Sequence, residues 1–333
     1  MNDQKKYLIL SVDTEPDNHR WRPLTSRPGS ILNAAALPRF IDEANLFKVK
    51  PTFLLTHSMA GSDLLRKNLE ASLKDGTAEV GMHLHPGETP PFTSFGVNRS
   101  DNICVVPQEL LLEKFHTLYT LITKNFGMPL SFRGAAWALD SRMFMMLSEY
   151  GFLAESSVTP GISWKLLNRP SYWTAPHCAY TPHRDNPSLP GISRVIEVPV
   201  TIWQRTRLPQ WIGEYAASVL TMPLSSKSHN PLISLIRHLR PAAPLWLCPA
   251  FTTADQMKQV VDKMESRTDF LHVMCHSSEL LAGASPYNPT EETVIAFYDR
   301  LRTILSYITR KGYVPVTLAE YVRIHHNKTA VVA

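Results

Sequence analysis

Short runs of apolar residues alternate with longer amphipathic stretches along most of the chain. The apolar runs have the length of strands and lie at 7–13, 51–55, 78–83, 130–133, 153–156, 194–200, 245–248, 271–275 and 314–316. The amphipathic stretches predict helices at 33–45, 62–74, 107–125, 141–150, 253–267, 290–310 and 318–325. Strands that alternate with helices favour parallel pairing, in which each helix crosses back over the sheet. The pattern therefore predicts an α/β protein.

Three segments interrupt this alternation, at 86–106, 159–193 and 203–231, and they are rich in Pro, Ser, Asn and aromatic residues. In an α/β barrel, the loops after the carboxyl ends of the strands form the rim of the active site. The chain has 333 residues, whereas about 250 are typical of such a barrel. Because no repeat or linker divides the sequence, we expect one domain over 1–333, with long insertions at the carboxyl-end face.

The charge of the chain changes the expected partners only slightly. The formal net charge is +5, so the field around the protein mildly favours anionic partners such as phosphorylated sugars, acidic glycans or lipid headgroups. No base-stacking motif or zinc-finger spacing accompanies the charge. Since nucleic-acid recognition requires more than charge, we expect no nucleic-acid partner.

Cysteine spacing and the amino terminus bear on the cellular location. The four cysteines lie far apart and form no CxxC pair: Cys104, Cys178, Cys248 and Cys275. In a chain of this length such spacing predicts reduced thiols in the cytosol. The apolar run 7–12 is too short for the core of a signal peptide, and no run reaches the 18 or so residues that span a bilayer. A cytoplasmic location is expected, with the inner face of the membrane as a place the protein could visit.

Two strand ends each carry a pair of residues that suits metal and acid–base chemistry. Asp13 and Glu15 end the first strand, and His83 and His85 end the third. Because side chains alternate along a strand, the members of each pair project to the same side. Carboxylates and neutral imidazoles are common zinc ligands, and a catalytic zinc site keeps one position for water. Each pair alone is also compatible with an ordinary polar strand end.

Two further residues lie at strand ends. His276 follows the apolar run 271–275, and Arg133 ends the run 130–133. A histidine that titrates near neutral pH is a common general acid, although a single one is also a common structural residue. The planar arginine side chain can hold a carboxylate, either in a site or in a structural ion pair. Since barrel enzymes keep catalytic groups at the carboxyl ends of strands, we expect all these side chains to converge in one cleft.

In chain order, an acid pair, a histidine pair, an arginine and a late histidine resemble the motifs of the polysaccharide deacetylase family, carbohydrate esterase family 4. The resemblance runs from residue 7 to residue 321, and it is greatest to members that act in surface polysaccharide and lipopolysaccharide (O-antigen) biosynthesis. It implies a distorted, incompletely closed (β/α)7-type barrel that removes N-acetyl groups from a sugar with the help of a divalent metal, zinc or otherwise nickel or cobalt.

The resemblance also implies a role for each residue. Asp13 matches the general base, Arg133 the residue that tethers it, and His276 the general acid. Glu15, His83 and His85 match the metal ligands. Trp137, shortly after Arg133, is expected to contact the substrate.

Several positions depart from the family pattern. Many members have two adjacent aspartates in the first motif, whereas here the second acid is Glu15, one residue further on. The family's histidines are usually four residues apart, whereas here they are two apart and Gly87 stands where the second would be. The Asp-rich fourth motif has no clear counterpart, and Glu197 or Glu279 is the candidate replacement.

Two other functions fit the same features. A glycoside hydrolase on a related barrel would use two carboxyl groups on either side of the bond. Asp13 and Glu15 are too close together for this, so Glu197 or Glu279 would have to serve. The altered motifs also fit a degenerate glycan-binding protein that has lost its metal. A cysteine nucleophile at Cys275 is disfavoured, because its neighbour His276 faces the opposite way on a strand.

The segment 201–244 combines aromatic residues with arginines. Trp203, Arg205, Arg207 and Trp211 suit an anionic or lipid-linked glycan, because arginine binds phosphate and carboxylate with two parallel hydrogen bonds. Further on, apolar residues recur at helical spacing beside basic ones: Leu232, Leu235, Ile236 and Leu239. Such a helix is a candidate for peripheral membrane contact, although a stripe of this kind more often packs on a core.

Overall fold

A curved sheet of parallel strands forms the centre of the protein, and helices cover its outer face. The computed structural model describes residues 5–17, 29–92, 101–205, 212–215 and 243–332. The strands are β1 Tyr7–Thr14, β2 Pro51–Leu55, β3 Glu79–Leu84, β4 Ser131–Gly134, β5 Ala154–Glu155, β6 Ile196–Glu197, β7 Ile202–Trp203, β8 Leu245–Trp246, β9 Phe270–His276 and β10 Val314–Pro315. The helices are α1 Leu37–Asn45, α2 His57–Ala60, α3 Asp63–Lys74, α4 Gln108–Phe126, α5 Ser141–Glu149, α6 Ala254–Met264, α7 Glu291–Arg310 and α8 Leu318–Val332.

Strand β1 lies in the middle of the sheet. It pairs along most of its length with β9, through its last five residues with β2, and through its first two with β10. The sheet continues from β2 through β3, β4 and β5 to β6, and all these pairs are parallel. This order brings the carboxyl ends of β1, β3, β4 and β9 to one side of the molecule.

Single hydrogen bonds connect β9, at one edge of the curved sheet, to the residues that flank the antiparallel pair β7 and β8. The Thr201 amide donates to the carbonyl of His272 in β9 (3.2 Å), and the Met274 amide donates to the carbonyl of Leu247 (3.2 Å). Leu247 in turn donates to Thr201 (2.9 Å). No continuous ladder joins β6 to β9 among the described residues. The expected distorted, incompletely closed α/β barrel is therefore confirmed.

Two predicted strands differ from the structure. The run 194–200 forms only the two-residue strand β6, because Pro199 has no amide hydrogen with which to continue the ladder. The run 245–248 was expected among the parallel strands, but its first two residues pair antiparallel with β7. Pro244 and Pro249 flank this run and limit its pairing in the same way.

The barrel interior has an apolar floor at the amino ends of the strands. Alternation along β1 turns Leu8, Leu10 and Val12 outward into the core beneath the helices. The floor is formed by Tyr7, Ile9, Ala154, Ile196, Val198 and Phe270, and it is covered by Val316, Leu318, Tyr321 and Val322. Helix α8 therefore closes the barrel at the end opposite the carboxyl ends of the strands.

A partly buried carboxylate fixes the start of helix α8. Glu79 accepts hydrogen bonds from Ser131 Oγ (2.5 Å), Thr52 Oγ1 (3.1 Å) and the amide of Ala319 (3.0 Å) in the first turn of α8. Burial raises the pKa of Glu79, while these donors lower it. A negative charge at a helix amino terminus is favourable, so the same group joins the sheet and its closing helix.

The structure also describes the cysteines and the apolar character of the helices. The four cysteines all lie in the described ranges and form no disulfide. Within those ranges, none of the helices has the length and apolar character needed to cross a membrane.

Candidate active site

Four strand ends bring one carboxylate, one guanidinium and two imidazoles together. Asp13 Oδ2 lies 3.8 Å from His83 Nε2 and 3.7 Å from His276 Nε2. Arg133 donates to the other oxygen, Asp13 Oδ1, at 2.5 Å. All four side chains are buried. Residues that are up to 263 positions apart in the chain thus share one cleft because the parallel sheet places their strand ends side by side.

Arg133 has at least one acceptor for each of its three nitrogens although it is completely buried. Its Nε donates to the Ser156 carbonyl (2.7 Å), and its second terminal nitrogen donates to Ser156 Oγ (2.9 Å) and Ser11 Oγ (3.0 Å). Burial alone would raise the pKa of Asp13, but Arg133 and the two neighbouring histidines hold it well below its usual range. Asp13 is therefore an ionised carboxylate with one oxygen fixed and one turned to the cleft.

His272 lies directly beneath this ion pair. Its Nε2 is 2.8 Å from Ser11 Oγ and 3.5 Å from the guanidinium of Arg133. Burial, followed by the nearby guanidinium, lowers the pKa of His272 to about 3. The neutral ring separates the charged mouth from the apolar floor, a role that its position inside an apolar run did not indicate.

Three donors converge in a way that suits a metal ion. One ligand atom from each of Glu15, His83 and His85 can be chosen so that all three lie within 4.8 Å of one another. The two Nε2 atoms are 2.9 Å apart, and His85 Nε2 is 3.4 Å from Glu15 Oε2. A carboxylate and two imidazoles are a donor set that zinc takes in catalytic sites.

The hydrogen positions on the two imidazoles test whether a cation fits. Burial lowers the pKa of His83 to about 4, so the ring is neutral, and its Nδ1 donates to the Arg133 carbonyl (2.8 Å). His83 Nε2 therefore presents a lone pair to His85. A neutral His85 has one nitrogen without a hydrogen. If that nitrogen is Nε2, its lone pair faces the lone pair of His83. If it is Nδ1, its lone pair faces the carboxylate of Asp101, 3.3 Å away. A divalent cation held by Glu15, His83 and His85 would remove this conflict, because both Nε2 atoms could ligate it while His85 Nδ1 donates to Asp101.

Asp101 is a site residue that the sequence did not reveal. It belongs to the insertion 86–106, where it also accepts a hydrogen bond from the Gly87 amide (3.1 Å). A carboxylate behind the outer nitrogen of a ligating histidine fixes the ring so that the inner nitrogen faces the metal. Nothing in the local sequence around Asp101 distinguishes it from an ordinary loop aspartate.

Glu279 is the carboxylate that contacts the candidate acid. It accepts from His276 Nδ1 (2.9 Å) and from the His276 backbone amide (3.0 Å), and its own carbonyl is bound by Asn288 Nδ2 (2.5 Å). The other candidate, Glu197, instead pairs with Glu155 on the neighbouring strand. Burial and that second carboxyl raise the pKa of Glu197 well above its usual range. Of these two glutamates, Glu279 is therefore the one that contacts His276.

Trp137 stacks on the arginine of the ion pair. Its ring centroid is 5.1 Å from Arg133 Cζ, and only 3% of the residue is exposed. Ala136 and Trp137 both have positive φ, 54° and 62°, a conformation that is costly for residues other than glycine and recurs at functional sites. Gly134 makes this turn possible, because a Cβ there would lie 2.0 Å from the Ala138 carbonyl oxygen.

The structure describes two of the other residues expected to bind substrate, Trp203 and Arg205. Trp203 lies in β7, where Lys263 of helix α6 is 5.9 Å from its ring. Arg205 is exposed. Arg207 and Trp211 lie outside the described residues, as does the amphipathic stretch 232–240.

The chain was compared with known proteins. No protein-family model and no curated protein matches it. Among solved structures, it is similar to a protein described as a polysaccharide deacetylase from Mycobacterium smegmatis (TM-score 0.51, 14% identity, 98% of this chain and 93% of that chain). It is also similar to one described as a glycoside hydrolase/deacetylase from Parabacteroides distasonis (TM-score 0.61, 11% identity, 97% and 72%). A third similar structure is a 4-alpha-glucanotransferase from Thermococcus litoralis (TM-score 0.50, 11% identity). The match covers 96% of this chain but 40% of that chain.

At these identities the comparisons concern the fold. They include proteins named for deacetylation and for glycosidic chemistry, so the choice between these reactions depends on the side chains of the cleft. The protein has the distorted α/β-barrel fold that its polysaccharide deacetylase-like motifs implied.

Proposed function

We propose that the protein is a metal-dependent deacetylase that hydrolyses the N-acetyl group of a sugar in surface polysaccharide or lipopolysaccharide biosynthesis. The observation that carries the proposal is the Asp13 carboxylate, which Arg133 fixes 3.7 Å from the imidazole of His276. An acceptor and a donor of protons that face one another across a cleft are what hydrolysis of an amide requires.

Glu15, His83 and His85 would hold the metal. A divalent cation supplies Lewis acidity, which polarises the acetyl carbonyl and makes a nearby water more acidic. Carboxylate and imidazole donors suit zinc and do not sharply exclude nickel or cobalt. Among the described residues, this is the group of three potential ligands that meets the distance requirement.

The two proton-transfer residues are prepared for different tasks. Asp13 Oδ2 takes the proton of the attacking water, while the bonds from Arg133 keep the carboxylate ionised and oriented. His276 presents Nε2 to the cleft because its Nδ1 is bound to Glu279. In the proposed mechanism the Glu279 carboxylate orients the ring, and His276 gives a proton from Nε2 to the amine that leaves.

A glycoside hydrolase is the main alternative, and the positions of the acids disfavour it. Such an enzyme needs a second carboxyl group that faces the cleft opposite the first. Glu279 accepts two hydrogen bonds from His276, and Glu197 lies beside Glu155. Release of reducing sugar without acetate from an acetylated glycan would favour the glycosidase.

The direct test combines metal content with product analysis. Purified protein is expected to carry about one equivalent of zinc or a related cation and to release acetate from an N-acetylated glycan. His83→Ala and His85→Ala should lose both. Protein that binds glycan but holds no more metal than these variants would instead be the degenerate binding protein.

We further propose an anionic or lipid-linked substrate, with cytoplasmic location and peripheral membrane contact through 232–240. The support is the sequence pattern of tryptophan and arginine in 203–211. Arg205→Ala and Arg207→Ala are expected to slow turnover of a charged acetylated glycan more than that of a neutral one. Equal effects on the two substrates would remove charge recognition from the proposal.

A further inference from the structure

Four aromatic side chains form a continuous row at the mouth of the barrel. The ring of Trp137 is 5.5 Å from that of Trp246, which is 6.0 Å from that of Phe251, which is 5.6 Å from that of Tyr287. These four residues are called the aromatic row below. They come from four different parts of the chain, and none of the sequence patterns joined them.

The row connects the two halves of the candidate active site. At one end, Trp137 stacks on Arg133, which holds Asp13. At the other end, Tyr287 precedes Asn288, whose side chain binds the Glu279 carbonyl. Since Glu279 also holds His276, both ends of the row lie next to residues that position a proton-transfer group.

Exposure increases along the row. Trp137 is 3% exposed and Trp246 is partly buried, whereas Phe251 is 44% and Tyr287 is 36% exposed. Isolated exposed aromatic rings are common and need no explanation. A row of rings that begins inside a cleft and ends at the surface is a contiguous apolar patch, and such patches mark binding sites.

Hydrogen bonds fix the loops that carry the exposed rings. Arg300 in helix α7 donates to the Pro249 carbonyl (2.6 Å), two residues before Phe251. The Tyr287 loop is closed by bonds from the Gly283 amide to the Asn288 carbonyl (3.0 Å) and from the Asn288 amide to the Ser285 carbonyl (3.1 Å). Rings on such turns lose little conformational freedom when a ligand binds.

The chemistry of the row selects one kind of ligand. Its members present ring faces and edges without a formal charge, so they do not recognise a phosphate. A pyranose ring has an apolar face of C–H bonds and a polar rim, and an aromatic side chain can cover that face while the hydroxyl groups remain in water. The rings are 5.5 to 6.0 Å apart and inclined to one another by 44° to 75°, so each presents its own face or edge to a ligand that extends along the row.

We infer that Trp246, Phe251 and Tyr287 form a binding strip for the sugar units next to the one that carries the acetyl group. The inference rests on the proposed deacetylase function and specifies its substrate as an oligosaccharide or polysaccharide, and not a monosaccharide or a nucleotide-linked sugar.

Binding and turnover are measured on the full chain with N-acetylglucosamine and with its β-1,4-linked tetramer. Stacking reads the face of a sugar ring and not its linkage, so the tetramer is a suitable probe. We expect the tetramer to bind at least 10-fold more tightly than the monomer. Phe251→Ala and Tyr287→Ala should each weaken tetramer binding about 2- to 10-fold and leave monomer binding unchanged, while Phe251→Tyr should retain it.

Leu46→Ala is the matched control, because Leu46 is 70% exposed and follows helix α1 at the opposite end of the barrel. Three results would contradict the inference that these rings bind sugar units. They are equal affinity for monomer and tetramer, no measurable binding of the tetramer, and unchanged tetramer binding in both alanine variants. Binding that depends on length without release of acetate would count against the deacetylase and leave the strip standing. Release of acetate at a rate that does not depend on the length of the glycan would support the deacetylase and count against the strip.

Discussion

The mouth and the floor of the barrel differ in chemistry although the same strands reach both. At the mouth, β1 and β9 end in Asp13 and His276, which are buried and charged or titratable. At the floor, the same two strands begin with Tyr7 and Phe270, which pack with the ring of Tyr321 from helix α8. In the proposed enzyme, a barrel strand thus serves catalysis at one end and folding at the other.

The two regions also differ in what burial of their side chains contributes to the free energy of folding. Burying an ion pair such as Asp13 and Arg133 removes two charges from water, and the attraction between them often only offsets that loss. Burying large apolar side chains is favourable by about 25 cal/mol per Å². We therefore expect substitutions at the mouth that leave no buried charge without its partner to reduce activity with little change in stability, and substitutions at the floor to do the opposite.

His276→Gln is expected to have the largest effect. Glutamine can still donate a hydrogen bond to Glu279, but it cannot transfer a proton, so kcat should fall about 10²- to 10⁴-fold. The unfolding free energy should change by less than about 1 kcal/mol, as for most substitutions that leave no buried group unpaired. Steady-state acetate release and urea denaturation measure the two quantities. Activity within threefold of wild type would remove His276 from the mechanism.

Phe270→Ala, at the other end of the same strand, should show the converse. Phe270 is 1% exposed and lies 5.0 Å from the ring of Tyr321, so its truncation should lower the unfolding free energy by about 3–5 kcal/mol. Under conditions where the variant is folded, kcat should stay within a few fold of wild type. A loss of kcat as large as that of His276→Gln in folded protein would show that the two ends are not separable.

Asp101→Ala tests whether the insertion contributes to the mouth. Removing the carboxylate behind His85 should weaken zinc affinity about 10- to 100-fold, measured by competition with a chromophoric chelator in the absence of substrate. Asp185→Ala, an exposed aspartate in the insertion 159–193, is the control. The same zinc affinity in both variants would mean that His85 is oriented without Asp101.

His272→Gln tests the neutral histidine that lies between the mouth and the floor, through the dependence of stability on pH. The pKa of His272 is lowered to about 3 in the folded protein from a reference value of 6.5. The unfolded chain therefore binds more protons below pH 6.5, and stability is lost as the pH falls from 6.5 towards 3. At pH 5 this residue accounts for about 2 kcal/mol of that loss. The variant should lose about that much less stability than wild type between pH 7 and pH 5. Parallel pH profiles for the two proteins would contradict the buried neutral histidine.

The sequence predicted the long strands of the sheet better than the short ones. The run 7–13 became β1 and the run 271–275 became β9, because long apolar runs are typical of strands that are buried on both faces of a covered sheet. The run 245–248 is also apolar, yet its first two residues pair antiparallel with β7. Pairing direction at an edge depends on which segment arrives beside it, and the periodicity of one strand holds no information about that.

The candidate site was predictable where residues stand at strand ends. Asp13, His83 and His276 could be placed in one cleft from alternation and barrel geometry alone. Asp101 and Ser156 could not be identified, because they reach the cleft residues through contacts between separate parts of the chain. The aromatic row has the same origin, since each ring is unremarkable in its own segment.

The central position of β1 has a consequence for synthesis of the protein. This strand begins at residue 7, and its longest partner begins at residue 270. While the chain emerges from the ribosome, the apolar β1 must remain unpaired on one side until most of the polypeptide has been made. Contacts that are so distant in sequence close slowly, and exposed strands of this kind aggregate or engage chaperones. The pairing that completes the sheet also brings His276 to Asp13, so an unfinished chain has no assembled cleft.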